Sequence, residues 1–569
     1  MKKSIMGLSF VSMFLTTGTI NCSADSILVN DGWNLRGTSA SYATMDNFNK
    51  SCIQYVWVFD DYNTWKVYSP STHAQEIITK AGYETLSSID KKYGFWVLAD
   101  SSCEIESSLL DDANSSTNSV NLAKLKASWQ NNIGSTGFED IRSMSVDNDG
   151  NVYVAGVYNG NIDGLALSKG SGDIFVAKYN ATNGALIWIK TLNSANIETP
   201  TQIAYSSSDN TLVMVGYTTG SLDLNPDDST LMNKGAGSFV VKLNANDGVF
   251  VNATSWETTK AKFLDIDIDS IGNLYLTGSL YNYSQNQSFD VNPSTSVFNM
   301  TTKGYSDGLI VKLNKSFGFV WAKNDGTQSK TTAFTSAILD GSDHIRVSGL
   351  TTATIPSSSL QSSTTRESLI KTYSITDGNL AIAHSVEYFD EGAPLSIGVT
   401  SKGESVICGL TTVSSSFLSS TYSLNGAVNL LSYGSSSLFV AKFDSYGNEQ
   451  WRVQANSFGQ SGCYDLEIDA HDNIFVAGEY DGSMIFGDFT IDSNGGTIDS
   501  FVAQIDSNGT VSGMKSFGGY QKERIQRMKL HDNAIYATGW FNGILTFNPE
   551  FSSLASVGNN DGFVVKLAQ

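Results

Sequence analysis

The residues best suited to chemistry are acidic and sit in short turns. Asp147 and Asp149 occupy "DNDGN", Asp265, Asp267 and Asp269 occupy "DIDIDSIGN", and Asp223, Asp227 and Asp228 surround Pro226. Calcium loops are built from oxygen ligands at alternating positions plus a later bidentate carboxylate. Asp147-x-Asp149-Gly150 has neither a third alternating ligand nor that closing Glu. Along a strand, Asp265, Asp267 and Asp269 share one face because side chains alternate. They lead into a hairpin, however, where Asp is an ordinary turn residue. The five histidines are scattered, and His344, His471 and His531 fall in turns. No His-x-x-x-His pair or Cys-x-x-Cys pair occurs. The expectation is no catalytic set, no metal and no cofactor.

The cysteines suggest covalent staples instead. Cys52 and Cys103 lie near the two ends of an N-terminal module and are expected to pair in an oxidising compartment. Cys408 and Cys463 fall in adjacent repeat units, on a second and a first strand. They either pair or remain separate buried thiols.

Such a compartment is indicated by the start of the chain, "MKKSIMGLSFVSMFLTTGTINCSADS". Two lysines, an apolar run from Ile5 to about Leu15 and small residues after it read as a bacterial export signal over 1–24, cleaved after Ala24. A lipid anchor at Cys22 is not expected, because Asn21 before it is large for a lipoprotein peptidase. No later apolar run approaches the roughly 20 residues of a spanning helix. The net charge of −21 argues against nucleic acid, which requires a basic footprint. It favours an exported protein kept in solution by its negative surface. The expected location is secreted or cell surface, and the expected form a monomer whose partner is an extracellular protein or glycan.

Positioning elements come from a repeat. "SVDNDGNVYVAG" (145–156) is followed by "GDIFVAKYNATNGALIW" (172–188), and the same succession recurs to the terminal "DGFVVKLAQ" (561–569). The glycine that closes the second segment stands at 156, 216, 278, 349, 409, 478 and 539, so the repeats are 60 to 71 residues long. Each unit reads as four strands. Polar turns such as Asp149-Gly150-Asn151 join the first two, since Gly, Asn and Asp tolerate positive φ. A second turn holding Gly184, Gly318 or Gly447 leads to a fourth strand with Trp188, Trp321 or Trp451. Seven four-stranded units predict an all-β, seven-bladed β-propeller over 125–569. The last unit lacks a fourth strand, whereas "LKASWQNNIGS" (125–135) is a fourth-strand pattern without a unit. Pairing the two closes the ring by an N-terminal strand and removes a sheet edge. Trp129 and Phe563 are the expected ring-closure neighbours.

The composite pattern D…GN-x-Y-V-x-G…G-x-x-D-x-F-V-x-K…G…W resembles the bacterial seven-bladed β-propeller (SBBP) repeat family. The resemblance covers 125–569 and is poorest in the fourth unit, where Arg366-Glu367-Ser368 replaces Gly-x-Asp and the late Trp is missing. In the sixth unit that Trp is replaced near Met514. The resemblance implies fold and an extracytoplasmic setting, and no shared catalytic residues. The string "AKYNATNGALIW" also resembles the docking turn of quinone-cofactor dehydrogenases, which are propellers too, but it is well formed only once.

Residues 25–104 differ. "GWNLRGTSA", "YVWVFDDYNTWKVYSP" and "LSSIDKKYGFWVLAD" resemble a small Trp-rich β module of bacterial surface proteins, and their aromatics read as its core. A polar stretch over 105–124 reads as a linker. The functional expectation is a non-enzymatic exported binding or adhesion protein. It would present the long connections "TGSLDLNPDDSTLMNKG" and "LYNYSQNQSFDVNPSTSVFNMTTKG". The alternatives are a polysaccharide hydrolase or lyase, which would gather carboxylates and Arg or His at a channel mouth, and a cell-envelope spacer.

Overall fold

A computed structural model divides the chain into two units, 1–119 and 120–569. It describes 120–568 apart from 121, 163–167, 228–231, 282–287, 342, 354–365, 387–391, 413–435, 458, 494–497 and 548–552, and short stretches between 26 and 106. The export signal and Cys22 lie outside the described residues.

The first unit contains a five-stranded sheet in the order Gly32–Arg36, Phe95–Ala99, Ile53–Phe59, Trp65–Tyr68, Glu84–Thr85, and Ser26–Val29 pairs with Cys103–Glu106. Alternation in "IQYVWVF" and "WKVY" buries Val56 and Val67 completely. Cys52 is disulfide-bonded. The Cys103 side chain, like those of Trp33, Trp57, Trp65 and Trp96, lies outside the described residues.

The second unit is β-propeller-like. Among its described residues are five four-stranded antiparallel sheets and one eight-stranded sheet, in which a parallel bridge between Ser306 and Thr331 joins two further four-stranded antiparallel arrays. Each of the seven arrays so distinguished opens with a hairpin. The first strands are Phe138–Val146, Glu198–Ser206, Ala261–Ile268, Lys330–Leu339, Gly392–Val399, Ser461–Ile468 and Glu523–His531. Their neighbours, the second strands, carry β-branched and aromatic residues on both faces and are almost wholly buried, as in Val152–Asn159 and Leu274–Tyr281. The weakly patterned fourth unit is a complete sheet as well, with Arg366–Ser374 as its third strand. In the seventh array the order is Glu523–His531, Ala534–Phe541, Asp561–Ala568, Lys126–Ile133, with Trp129 opposite Lys566 and Asn132 opposite Phe563. Successive first strands pack against each other in chain order, and Glu523–His531 packs against Phe138–Val146.

The repeated Lys and Trp reach across to the next sheet. Lys178 Nζ and Trp188 Nε1 both donate to the Ala245 carbonyl, in the turn between the third and fourth strands of the second array (3.0 and 3.3 Å). Lys312 and Trp321 do the same to Ile375 (2.7 and 3.2 Å), and Lys442 and Trp451 to Ser507 (3.2 and 3.1 Å). The Trp ring also covers that turn's glycine. A Cβ on Gly248 would lie 2.8 Å from Trp188, and one on Gly509 2.7 Å from Trp451, both at positive φ. Only glycine suits both demands. Exceptions to the pattern have local causes. The second array has Asn252 in place of Trp, and Phe317 from the third array's turn takes up the contact beneath Lys242 (5.5 Å). The sixth array has Gly513, opposite Gln504, in the Trp position, and the sheet that follows it has no turn between its third and fourth strands. There Leu122 packs against Gly513, and Lys515 donates to the Leu125 carbonyl. Val120 and Leu122 are accordingly buried, so the end of the expected linker belongs to this unit's core.

Cys408 and Cys463, both fully buried, are joined as a disulfide between the fifth and sixth arrays. Among the described residues no helix is long and apolar enough to cross a membrane.

Candidate functional site

Each first strand is the open edge of its sheet, so its outward N–H groups need acceptors. A β-bulge in each, at Arg142, Thr201, Leu264, Thr335, Leu395, Tyr464 and Gln526, resets the alternation. One position past the bulge the residues are Ser143, Gln202, Asp265, Ser336, Ser396, Asp465 and Arg527. All are polar, and several bind one another from sheet to sheet. Ser143 donates to Gln202, Gln202 to Asp265 (3.0 Å), Ser336 to Asp265 (2.9 Å) and Ser396 to Asp465 (2.9 Å). The same side chains accept the next strand's edge N–H groups: Ile203 N from Ser143, Ala337 N from Asp265, Met528 N from Asp465 (each 2.8 Å). This collar is edge protection first.

Two positions further on, Asp267 accepts Leu339 N at 2.7 Å, and Lys529 contacts Glu467. Lys529 keeps 40% of its side-chain surface accessible although protein crowds it closely. Burial would lower its pKa, but Glu467, Asp465 and Asp267 more than offset that and raise it. Burial and the Asp265 charge push Asp267 up to about 6 against its hydrogen bonds and Lys529.

Before the bulge, toward the start of the first strands, edge protection does not explain the residues. Asp140 accepts from Arg142 Nε (2.8 Å) and Gln526 Nε2 (2.8 Å), which joins the first array to the seventh. On one side Lys262 lies 3.9 Å over the Tyr217 ring, joining the second and third. On the other, Arg524 makes a two-pronged pair with Glu479 (2.6 and 2.8 Å), which also accepts from Tyr464 Oη at 2.8 Å. The Arg524 guanidinium lies over the Tyr464 and Trp540 rings, at 4.6 and 5.4 Å. Three cations, two carboxylates and three aromatics from five arrays therefore meet around Asp140. The fourth and fifth arrays offer only Ala333, Thr335, Ala393 and Leu395 at these positions.

The acidic turns have structural partners. Asp147 accepts Asn151 N (2.8 Å), Asn151 Nδ2 and Tyr153 Oη (2.9 Å), and Asp269 accepts Asn273 N (2.8 Å) and Tyr275 Oη (3.1 Å). Asp223 accepts Asn225 N and Met232 N, while Asp227 pairs with Lys190; Asp228 lies outside the described residues. No group of three or more His, Cys, Asp or Glu arranged for a metal occurs among the described residues. His344 and His471 sit near Asp340 and Asp469 of their own turns.

The described parts of the long connections pair and pack inward. Leu222–Asp223 pairs with Asn233–Lys234, and Ser288–Asp290 with Asn299–Thr301. Alternation in "LDLN" and "FDVN" buries Leu222, Leu224 and Val291 fully, and Trp256 of the preceding array donates to the Val291 carbonyl at 2.8 Å. These segments clamp neighbouring sheets, because their apolar positions are used inward. Sequence reading missed Arg142, Lys262, Arg524 and Trp540. Each is a single charge or aromatic at a position that is neutral in most repeats.

No family model matches the chain, and no curated protein matches it. Solved structures do. A quinohemoprotein alcohol dehydrogenase from Comamonas testosteroni is 11% identical, with 79% of this chain and 77% of that one covered and a TM-score of 0.38. A protein of unknown function from Dyadobacter fermentans is 9% identical, covering 78% and 99%, with a TM-score of 0.36. A europium-containing methanol dehydrogenase is 10% identical, covering 79% and 94%, with a TM-score of 0.34.

Proposed function

We propose that residues 125–569 form a seven-bladed β-propeller closed by Lys126–Ile133, and that the protein is an exported, non-enzymatic binding protein. Its ligand seats among Arg142, Tyr217, Lys262, Tyr464, Arg524 and Trp540. One observation carries this reading: charged and aromatic side chains from five sheets converge around Asp140, where no edge N–H requires them. Closure is supported by the pairing of Asp561–Ala568 with Lys126–Ile133. Export is supported by the Cys408–Cys463 disulfide, a bond characteristic of oxidising compartments.

Glycan and protein arrays probed with the mature chain test the proposal. Binding that Trp540→Ala and Arg142→Ala weaken together is the expected result. Binding indifferent to both would contradict it.

A second reading draws on Asp267. A carboxyl titrating near pH 6 within reach of the Glu467–Lys529 pair suits general acid or base chemistry on a polysaccharide. Release of reducing ends from a glycan, abolished by Asp267→Asn, would favour it.

A further inference from the structure

The chemistry around Asp140 also narrows the ligand class, given the binding reading above. We infer that the site takes a carboxylate-bearing saccharide, with the carboxylate held by Arg142 and Lys262 and a pyranose face laid on Trp540.

The cations divide by what already occupies them. Arg524 gives both prongs of its guanidinium to Glu479 and is sandwiched between Tyr464 and Trp540. It is a positioning residue that fixes the Trp540 ring from one side. Arg142 is different. Only its Nε is engaged, by Asp140, and its side chain is 35% exposed, so the terminal nitrogens remain available as a planar fork. Such a fork matches the two oxygens of a carboxylate. Lys262 lies on the Tyr217 ring, and the charges of Lys262 and Arg142 both act on the Tyr217 hydroxyl.

The acids nearby are already committed. Asp140 is shared between Arg142 and Gln526, and Glu479 between Arg524 and Tyr464. Counting these five charged groups, the cluster carries one net positive charge on a chain of net charge −21. The local field can be read from Tyr217. Burial should raise its hydroxyl pKa, yet bonding to Thr199 and the charges of Lys262 and Arg142 lower it overall. Cationic groups thus lie close to that hydroxyl, Lys262 directly over its ring. An anion entering there meets charge of the opposite sign, whereas a cationic or acidic-patch-seeking partner does not.

The saccharide half of the inference rests on shape and edge chemistry. Trp540 and Tyr217 are half-buried and flank the cluster. Their flat faces suit the C–H face of a pyranose, while the Gln526 amide, whose nitrogen donates to Asp140, supplies an acceptor oxygen. The fourth and fifth arrays contribute small and aliphatic residues at the same level, so recognition is one-sided, as suits the end or flank of a chain.

The test titrates the mature chain with trigalacturonate and with its fully methyl-esterified, uncharged counterpart, following tryptophan fluorescence at low and moderate salt. Trigalacturonate should bind at least tenfold tighter than the ester and lose that advantage as salt rises. Arg142→Ala should weaken trigalacturonate by roughly ten- to a hundredfold, the range of one charged hydrogen-bonded contact. Arg142→Lys should recover part of it, and the ester should be unaffected by either. Equal affinity for the two sugars, both lost in Trp540→Ala, would overturn the charge assignment and leave the binding site standing. Failure of both sugars to bind, while an array-identified ligand responds to Trp540→Ala, would overturn the ligand class alone. Sugar binding untouched by Arg142→Ala, Lys262→Ala and Trp540→Ala would overturn both. Circular-dichroism melts of each variant separate loss of binding from loss of fold.

Discussion

Trp129 and Lys566 face each other on neighbouring strands and donate to one acceptor, the Ala181 carbonyl oxygen, at 3.0 and 3.1 Å. The same two-donor clamp joins the first array to the second, the third to the fourth and the fifth to the sixth. At Ala181 its members come from opposite ends of the second unit. The Trp129 ring covers Gly184, whose φ is +70°, and a Cβ there would lie 2.6 Å from the indole.

Trp129→Ala should therefore cost about 3 kcal/mol or more, the usual range for emptying a buried aromatic site. Trp188→Ala, inside a covalently continuous array, should cost a similar amount. Urea unfolding of the two variants checks this. A near-neutral Trp129→Ala beside a damaging Trp188→Ala would show that the N-terminal strand is not a full member of its sheet.

Gly184→Ala should destabilise by at least about 1 kcal/mol from its left-handed backbone alone, with a further loss as the indole is displaced. Gly341 has a similar φ of +76° but nothing within 4 Å of its absent Cβ. Gly341→Ala should show only the backbone part. Thermal melts of both variants isolate the clamp's contribution.

The Cys408–Cys463 bond spans 55 residues of sequence and ties two sheets together. On the chain-entropy model its removal costs about 4 kcal/mol. A Cys408→Ser/Cys463→Ser double variant should unfold at markedly lower urea concentration, with exchange of backbone amides rising first in the fifth and sixth arrays. An unchanged midpoint would place the stabilisation elsewhere.

Stability should fall as pH rises from about 5 to 9. Buried Glu139, Glu198 and Glu523 each lie beside an Asp of the neighbouring array: Asp561, Asp173 and Asp499. Burial, helped by those neighbours, pushes Glu139 and Glu198 up to about 7 and Glu523 up to about 9. A carboxyl raised in the folded state holds its proton more tightly there than in the unfolded chain. Its stabilisation is complete below the unfolded value of about 4.3 and is lost through about pH 7 and then about pH 9. The lowered Asp147 and Asp209 act only at the acid end. Melting temperatures should drop across this window, and a triple Glu→Gln variant should flatten the curve. A flat wild-type profile would contradict the protonated assignment.

Strand content and the repeat were legible because each unit writes its own local signals. "DNDGN" and its relatives specify a hairpin, and "VYVAG" specifies a strand buried on both faces. The stray pattern around Trp129 was legible by its resemblance to the strands of Trp188 and Trp321. What Trp and Lys touch was not, since their acceptors lie in the next sheet, as Ala245 does for Trp188. The cluster at Asp140 was hidden for the same reason. Arg142, Lys262 and Arg524 occur once each at a bulge-shifted position, and only the contact between different first strands brings them together. In the two long connections "LDLN" and "FDVN" look polar, so the inward turn of Leu222, Leu224 and Val291 was not legible. Cys408 and Cys463 were two candidates that sequence alone left open.

The proposed closure of the ring is tested most directly by joining its two ends. Lys126 and Ala568 are opposite one another in the seventh array. In a mature Lys126→Cys/Ala568→Cys variant, mild oxidation should yield a monomer whose digest contains one disulfide-linked peptide pair from the first and last strands. It should also raise the unfolding midpoint. Free thiols, or cross-links only between molecules, would contradict the ring.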